Sequence, residues 1–363
     1  MTTVIELWRQ ALLEREEDAA VLTDPANIYY ASGFYSDPHE RLLMLMIFQK
    51  GEPVLVCPEM EKSLVINSGW QGGIVTYRDS EDPWDSVKKM FHKQLPNPFR
   101  IAVEKAHLSV TRFEKLQLIY PGVRYTDFER VVVESRQVKS REELTHIQQA
   151  VDIAEQALKA VAAGLQEGVT ERQVVHQLED AMKRAGADGA AFDTIVLFGE
   201  KSAYPHGVPS ENPLQKGDLI LVDLGARYGR FCSDITRTWV FGGADETSQQ
   251  RLNLVSQAKA AAIKACRHGG RIGDVDKAAR DVLTKAGHGD HFITRVGHGM
   301  GMDVHEAPSI HGNNDDLLEA GMVLTIEPGV YIEGWGGIRL EDDVVVGEHG
   351  GKIMNRLETL LDM

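Results

Sequence analysis

Leu219-Ile220-Leu221-Val222-Asp223 is an unbroken apolar run that ends on an acid, and Val323-Leu324-Thr325-Ile326-Glu327 repeats the pattern further along. A strand interior has no use for a carboxylate, and burying one unpaired is costly, so something must compensate each. Each run has an acidic counterpart downstream, Asp234 in Ser233-Asp234-Ile235-Thr236 and Glu341 in Ile338-Arg339-Leu340-Glu341-Asp342. A hairpin turning at Tyr228-Gly229 sets residue 223 opposite residue 234. A loop centred near Gly334 sets 327 opposite 341, with Pro328-Gly329 as a place for a bulge. Opposed side chains stand roughly 4.5 to 5.5 Å apart at Cβ. Carboxylates that close repel unless one takes a proton or a cation lies between them, and a cation is the simpler solution.

Gly297-His298-Gly299-Met300-Gly301 adds one imidazole, flanked by glycines that allow tight backbone curvature. Asp223, Asp234, Glu327, Glu341 and a neutral His298 together carry about four negative charges, which two divalent ions would cancel. Charge balance therefore favours a dinuclear centre. Oxygen-rich ligation with one nitrogen suits manganese, cobalt or zinc better than copper, and the lack of thiolates disfavours a structural zinc.

Outward from these runs, 219–226, 231–241, 323–332 and 338–346 read as strands, and 171–185 and 249–267 as helices. Ser140-Arg141-Glu142-Glu143 is a capping box, after which Leu144, Ile147, Val151, Ala154, Leu158 and Val161 recur at helical spacing. Helices grouped beside antiparallel strands predict an α+β domain over 134–363. Before it, short apolar stretches such as 42–48, 54–57 and 101–103 alternate with helical or turn segments, which predicts a smaller α/β domain over 1–133. A length of 363 residues, 43% hydrophobic and 26% charged, fits two globular domains.

The longest apolar run, 42–48, is far short of a membrane span, and the N-terminal residues lack the layout of a signal peptide, so a cytoplasmic protein is expected. Cys57, Cys232 and Cys266 are too far apart for a thiolate site or a disulfide framework. With 39 Lys and Arg against 54 Asp and Glu, a net charge of −15 opposes binding to nucleic acid.

The order Asp223, Asp234, His298, Glu327, Glu341 in these contexts resembles the creatinase, aminopeptidase P and prolidase family of "pita-bread" metallopeptidases, and bacterial Xaa-Pro dipeptidases within it. The resemblance implies a duplicated α+β catalytic domain preceded by a creatinase-like N-terminal domain, two divalent ions with manganese expected first, and a homodimer. It implies hydrolysis of the peptide bond before a C-terminal proline by a water or hydroxide that bridges the metals, with Glu327 shuttling the proton. His206, in Tyr204-Pro205-His206-Gly207, and His305, in Asp303-Val304-His305-Glu306, match histidines the family places around the scissile carbonyl.

Arg339 shares strand parity with Glu341, so it either grips a substrate carboxylate or clamps a ligand carboxylate. Tyr331 is expected in the cleft. Ser36-Asp37-Pro38-His39-Glu40-Arg41 resembles the loop of bacterial prolidases that reaches the partner subunit's active site, which makes Asp37, His39, Glu40 and Arg41 substrate-binding candidates. Arg295 fits the same subgroup. Thr294 stands where many aminopeptidase P relatives carry a histidine, which speaks against that activity. A shaped apolar pocket for proline is expected to use Phe198 or Trp335. The rival readings are an Xaa-Pro aminopeptidase acting on longer peptides, with methionyl aminopeptidase activity less favoured, and an inactive peptide-binding scaffold. A creatinase-type amidinohydrolase is opposed by the complete ligand set.

Overall fold

A computed structural model describes residues 3–359, which divide into two compact units, Met1–Ser135 and Arg136–Met363. In the first, a six-stranded sheet runs in the order Gly73–Tyr77, Val54–Pro58, Met44–Phe48, Ala19–Leu22, Arg100–Val103, Arg124–Asp127. Its central strands are buried along their whole length because both faces are covered. Ala19, Val21, Met44, Met46 and Phe48 enter the core on one side, and Ala20, Leu22, Leu45 and Ile47 the core on the other. This is why 42–48 is continuously apolar instead of alternating.

The second unit is built twice over from a helix pair and an antiparallel sheet. Arg141–Ala162 starts at the capping box, where Ser140 Oγ accepts from Glu143 N and the Glu143 carboxylate accepts from Ser140 N. With Glu171–Arg184 it packs on the sheet of Ile195–Phe198, Leu219–Leu224 and Ile235–Val240. Glu246–Ala265 and Ile272–Lys285 share a second core with the sheet ordered Glu306–Ile310, Gly297–Gly299, Val323–Ile326, Asp342–Val346, Gly351–Ile353. A short hairpin, Gly329–Ile332 with Gly336–Arg339, extends from that sheet. Every acid of interest thus sits on a strand or at its end, with a helix layer behind it to fix the backbone. No helix among the described residues is long and apolar enough to cross a membrane.

Candidate metal centre

The first hairpin differs from its expected register. Gly229 and Arg230 both take positive φ, 55° and 74°, the conformation a two-residue type I′ turn demands, so the turn lies one residue beyond Tyr228-Gly229. Pairing then runs Tyr228↔Phe231, Arg227↔Cys232 and, past a break, Asp223↔Thr236. Asp223 therefore faces Thr236 and not Asp234. A shift of two leaves side-chain parity intact, so Asp234 stays on the Asp223 face as a diagonal neighbour. In the second hairpin Ile326↔Asp342 and Gly329↔Arg339 leave two residues on each strand between them. Glu327 thus lies across from Glu341 without a bulge, and Leu340 N donates to Pro328 O at 3.4 Å.

These strand ends enclose a cavity of about 450 Å³ lined by Asp223, Asp234, His298, Glu327 and Glu341, together with His206, His305, Arg295, Tyr331 and Arg339. Ligand atoms of Asp234, His298 and Glu341 lie within 4.8 Å of one another. His298 Nε2 is 3.4 Å from Glu327 Oε1 and 3.8 Å from Asp234 Oδ2. Asp223 Oδ1, Asp234 Oδ1 and Glu341 Oε1 are buried without a hydrogen-bond partner. Burial first, then mutual repulsion, holds the Asp234 and Glu341 carboxyls well above the ordinary range. Burial likewise pushes Glu327 up to about 7, with Arg339 pulling it down and Asp223 adding to the rise.

Burial and the neighbouring His305 push the His298 imidazole down to about 3, so it is neutral, the form that ligates. Its Nδ1 lies 3.0 Å from Gly299 O, and a proton placed there leaves the Nε2 lone pair facing the acids. Hard oxygens with a free lone pair and one neutral imidazole are a donor set that fits divalent cations.

Arg339 is committed to protein partners. Its Nη2 donates to Asp223 Oδ2 at 2.5 Å, Nη1 to Tyr331 Oη at 2.8 Å and Pro205 O at 3.2 Å, and Nε to Thr236 Oγ1 at 3.1 Å. Of its two expected roles the geometry is that of a clamp. Thr236 Oγ1 in turn donates to Glu341 Oε2 at 2.6 Å. Asp343, which sequence reasoning passed over, accepts from Asp234 N at 3.1 Å. It carried the same signal as the others, an acid inside an apolar strand. Glu306 was also overlooked. Its carboxylate takes Arg136 Nη2, Lys139 Nζ at 3.1 Å and Asp303 N at 3.2 Å, which secures the loop whose His305 ring stands edge-on to His298 at 4.2 Å.

Phe198 and Trp335 are not the apolar walls of this cavity. Phe192 and Ile195 are, because Ile195 pairs with Asp223 and shares its face, whereas Phe198 has the opposite parity and joins the core and a neighbouring cavity of about 730 Å³. Trp335 stacks on Arg251 at 4.0 Å. Arg295 donates to Ser309 Oγ at 2.9 Å, and Thr294 lines the site with its hydroxyl unpaired. Asp37, His39, Glu40 and Arg41 belong to the N-terminal unit, where Arg41 holds Asp79 through two bonds of 2.9 and 3.0 Å and Asp37 Oδ1 accepts from His39 N at 3.2 Å.

Comparison with known proteins agrees with this geometry. Residues 145–348 match the model of metallopeptidase family M24, and residues 5–138 that of the creatinase/prolidase N-terminal domain. The "Putative dipeptidase YkvY" of Bacillus subtilis is 42% identical over 339 residues, 93% of each chain. Among solved structures, the prolidase from Pyrococcus furiosus superposes with a TM-score of 0.88 at 32% identity, over 96% of this chain and 99% of its own. An X-Pro aminopeptidase from Thermotoga maritima gives 0.88 at 30% identity, over 98% of this chain and 99% of its own. The family's divalent metal ions thus have a matching donor set here, and the chain belongs to metallopeptidase family M24, with a creatinase/prolidase-type domain at its N-terminal end.

Proposed function

We propose that this protein is an Xaa-Pro dipeptidase working with two divalent ions, manganese first, held by Asp223, Asp234, His298, Glu327 and Glu341. The observation that carries the reading is the set of buried, partnerless oxygens on Asp223, Asp234 and Glu341, residues that line one cavity together with the neutral imidazole of His298. Divalent ions bound there would polarise the scissile carbonyl and make water a competent nucleophile at neutral pH.

The chain's own residues do the rest. Glu327 takes the proton of the attacking water and returns it to the leaving proline nitrogen. His206 and His305 donate to the oxygen that gains charge as the carbonyl becomes tetrahedral. Arg339 ties Asp223 to Pro205, next to His206, and so fixes a ligand and a substrate-facing loop with one guanidinium. Tyr331 and Arg295 line the substrate side. Asp37, His39, Glu40 and Arg41 of a second copy would recognise the dipeptide's charged end, which makes the working form a homodimer; the expected location is the cytoplasm.

Metal-free enzyme reloaded with manganese, cobalt or zinc should cleave Ala-Pro and leave Ala-Pro-Ala nearly untouched. Preferential tripeptide cleavage would move the reading to an Xaa-Pro aminopeptidase, which the likeness to the Thermotoga maritima enzyme favours and Thr294 opposes. Glu327→Gln at full metal occupancy should lose about a thousandfold in kcat; near-normal turnover would remove its role as proton shuttle. Neutralising Asp37, His39 and Arg41 together should erode the dipeptide preference, and an unchanged ratio of dipeptide to tripeptide cleavage would defeat that part.

A further inference from the structure

Glu171 is the first residue of the helix Glu171–Arg184, and its side chain is fully buried. A first-turn acid ordinarily faces solvent and favours the positive end of the helix dipole. This one is surrounded by donors from a different part of the chain. Oε1 accepts from Phe198 N at 2.9 Å and Asn212 Nδ2 at 3.2 Å. Oε2 accepts from Lys201 Nζ at 2.5 Å, Ser210 N at 2.8 Å and Ser210 Oγ at 2.9 Å. Backbone bonds at the same helix start, Glu171 N to Asn212 O at 3.2 Å and Arg172 N to Ser210 O at 3.1 Å, add to the join. Five donors occupy the carboxylate's lone pairs, and Lys201 balances its charge.

All five donors bracket one stretch of chain. Phe198 ends a strand and Asn212 closes the excursion that follows, so a single carboxylate clasps both ends of segment 199–212. That segment carries Tyr204-Pro205-His206, and His206 is exposed where it lines the cavity of acids. Ahead of His206 in the same segment, Ser202 Oγ accepts from Gly337 N at 2.7 Å and Pro205 O accepts from Arg339. A loop of this length without a closed base would sample many conformers, and an imidazole on it would spend little time at the reacting carbonyl.

We propose that Glu171 is a positioning residue for the reaction: its buried carboxylate closes the base of segment 199–212 and thereby sets where His206 stands in the cavity. The proposal rests on the reading of His206 as a donor to the tetrahedral intermediate, but the clasp itself can be measured without substrate. In Glu171→Gln either amide orientation sets an NH2 against donors, and Lys201 loses its counter-charge.

Amide exchange over 199–212 should then rise about tenfold or more, with metal content per chain unchanged. On Ala-Pro, Glu171→Gln should lower kcat about thirtyfold with KM within about threefold, whereas in a His206→Ala background the same change should cost at most about twofold. Asn212→Ala, which removes a donor from the segment and spares the helix start, carries the same cycle should Glu171→Gln fold poorly. Unchanged exchange overturns the clasp, and equal losses in both backgrounds overturn its action through His206. If His206→Ala alone leaves turnover intact, the role given to His206 fails and the catalytic part falls with it, while exchange still decides whether the clasp stands.

Discussion

Both units bury carboxylates, but Glu104 of the N-terminal unit and the acids of the metal site are held in opposite ways. In the N-terminal unit Glu104 is fully buried, and its oxygens accept from Thr23 N at 2.5 Å, Asp24 N at 2.9 Å and Asn27 Nδ2 at 2.7 Å. In the catalytic unit Asp223 and Glu341 each give one oxygen to the protein, to Arg339 and Thr236, and keep the other buried and bare. A fully satisfied buried acid is part of the scaffold. A half-satisfied one costs stability in the bare protein, and several of them converging on one point are a receptor for positive charge. Burial alone does not separate the two cases; the accounting of lone pairs does.

The largest effect expected from that difference is at Glu341. Glu341→Gln should lose most of its bound metal, read by elemental analysis, and about a thousandfold in turnover. Stripped of metal, the same variant should be as stable as the stripped wild type or more so, on the order of 1 to 2 kcal/mol, because one of several repelling carboxylates is gone. A stripped variant clearly less stable than stripped wild type would place Glu341 in the same class as Glu104 and erase the contrast.

Glu104→Ala tests the opposite side. Three donors lose their acceptor, so stability at pH 6 should fall by about 4 kcal/mol in urea unfolding, whereas kcat per folded molecule should stay within about twofold. A variant that unfolds normally but has lost its metal or its turnover would show that Glu104 serves the reaction.

Much of this was legible in the chain because a charged residue at the end of an apolar strand violates the local rule so plainly. Asp223, Glu327 and Glu341 stood out in that way, and His298 through its glycines. The turn at Gly229-Arg230 was not legible, since an arginine at positive φ is decided by the strands on either side and not by its own preference. Nor was the helix Ile272–Lys285, whose start has no side-chain cap to mark it. Phe198 was misplaced because the run 195–198 is apolar throughout and offers no alternation to tell which residues turn toward the cavity. Glu171 looks in sequence like any first-turn acid; only the return of the chain at Asn212 makes it a clasp. The N-terminal unit declared its α/β class, but its strand order depends on long-range pairing that apolar runs do not encode.

The smallest effect, and the most specific to Glu104, is its pH dependence. Burial pushes this carboxyl from 4.5 up to about 7, against the pull of its three donors and with the nearby charge of Asp24 adding to the rise. Over that range the folded protein keeps a proton that the unfolded chain has released, so stability falls as pH rises. The contribution is fully present below about pH 4.5 and is gone once pH has passed about 7. Between pH 5 and pH 7 the loss should be on the order of 2 kcal/mol.

Glu104→Gln has no proton to lose, so its urea midpoint should gain on the wild type steadily across that window and then run parallel to it. Acids of the metal site titrate in both proteins and cancel in the difference, provided that both are stripped of metal. Parallel curves from pH 5 to pH 8 would mean that the three donors hold Glu104 ionised throughout. Satisfied lone pairs would then outweigh burial at this site, and the contrast with the bare oxygens of the metal centre would be sharper still.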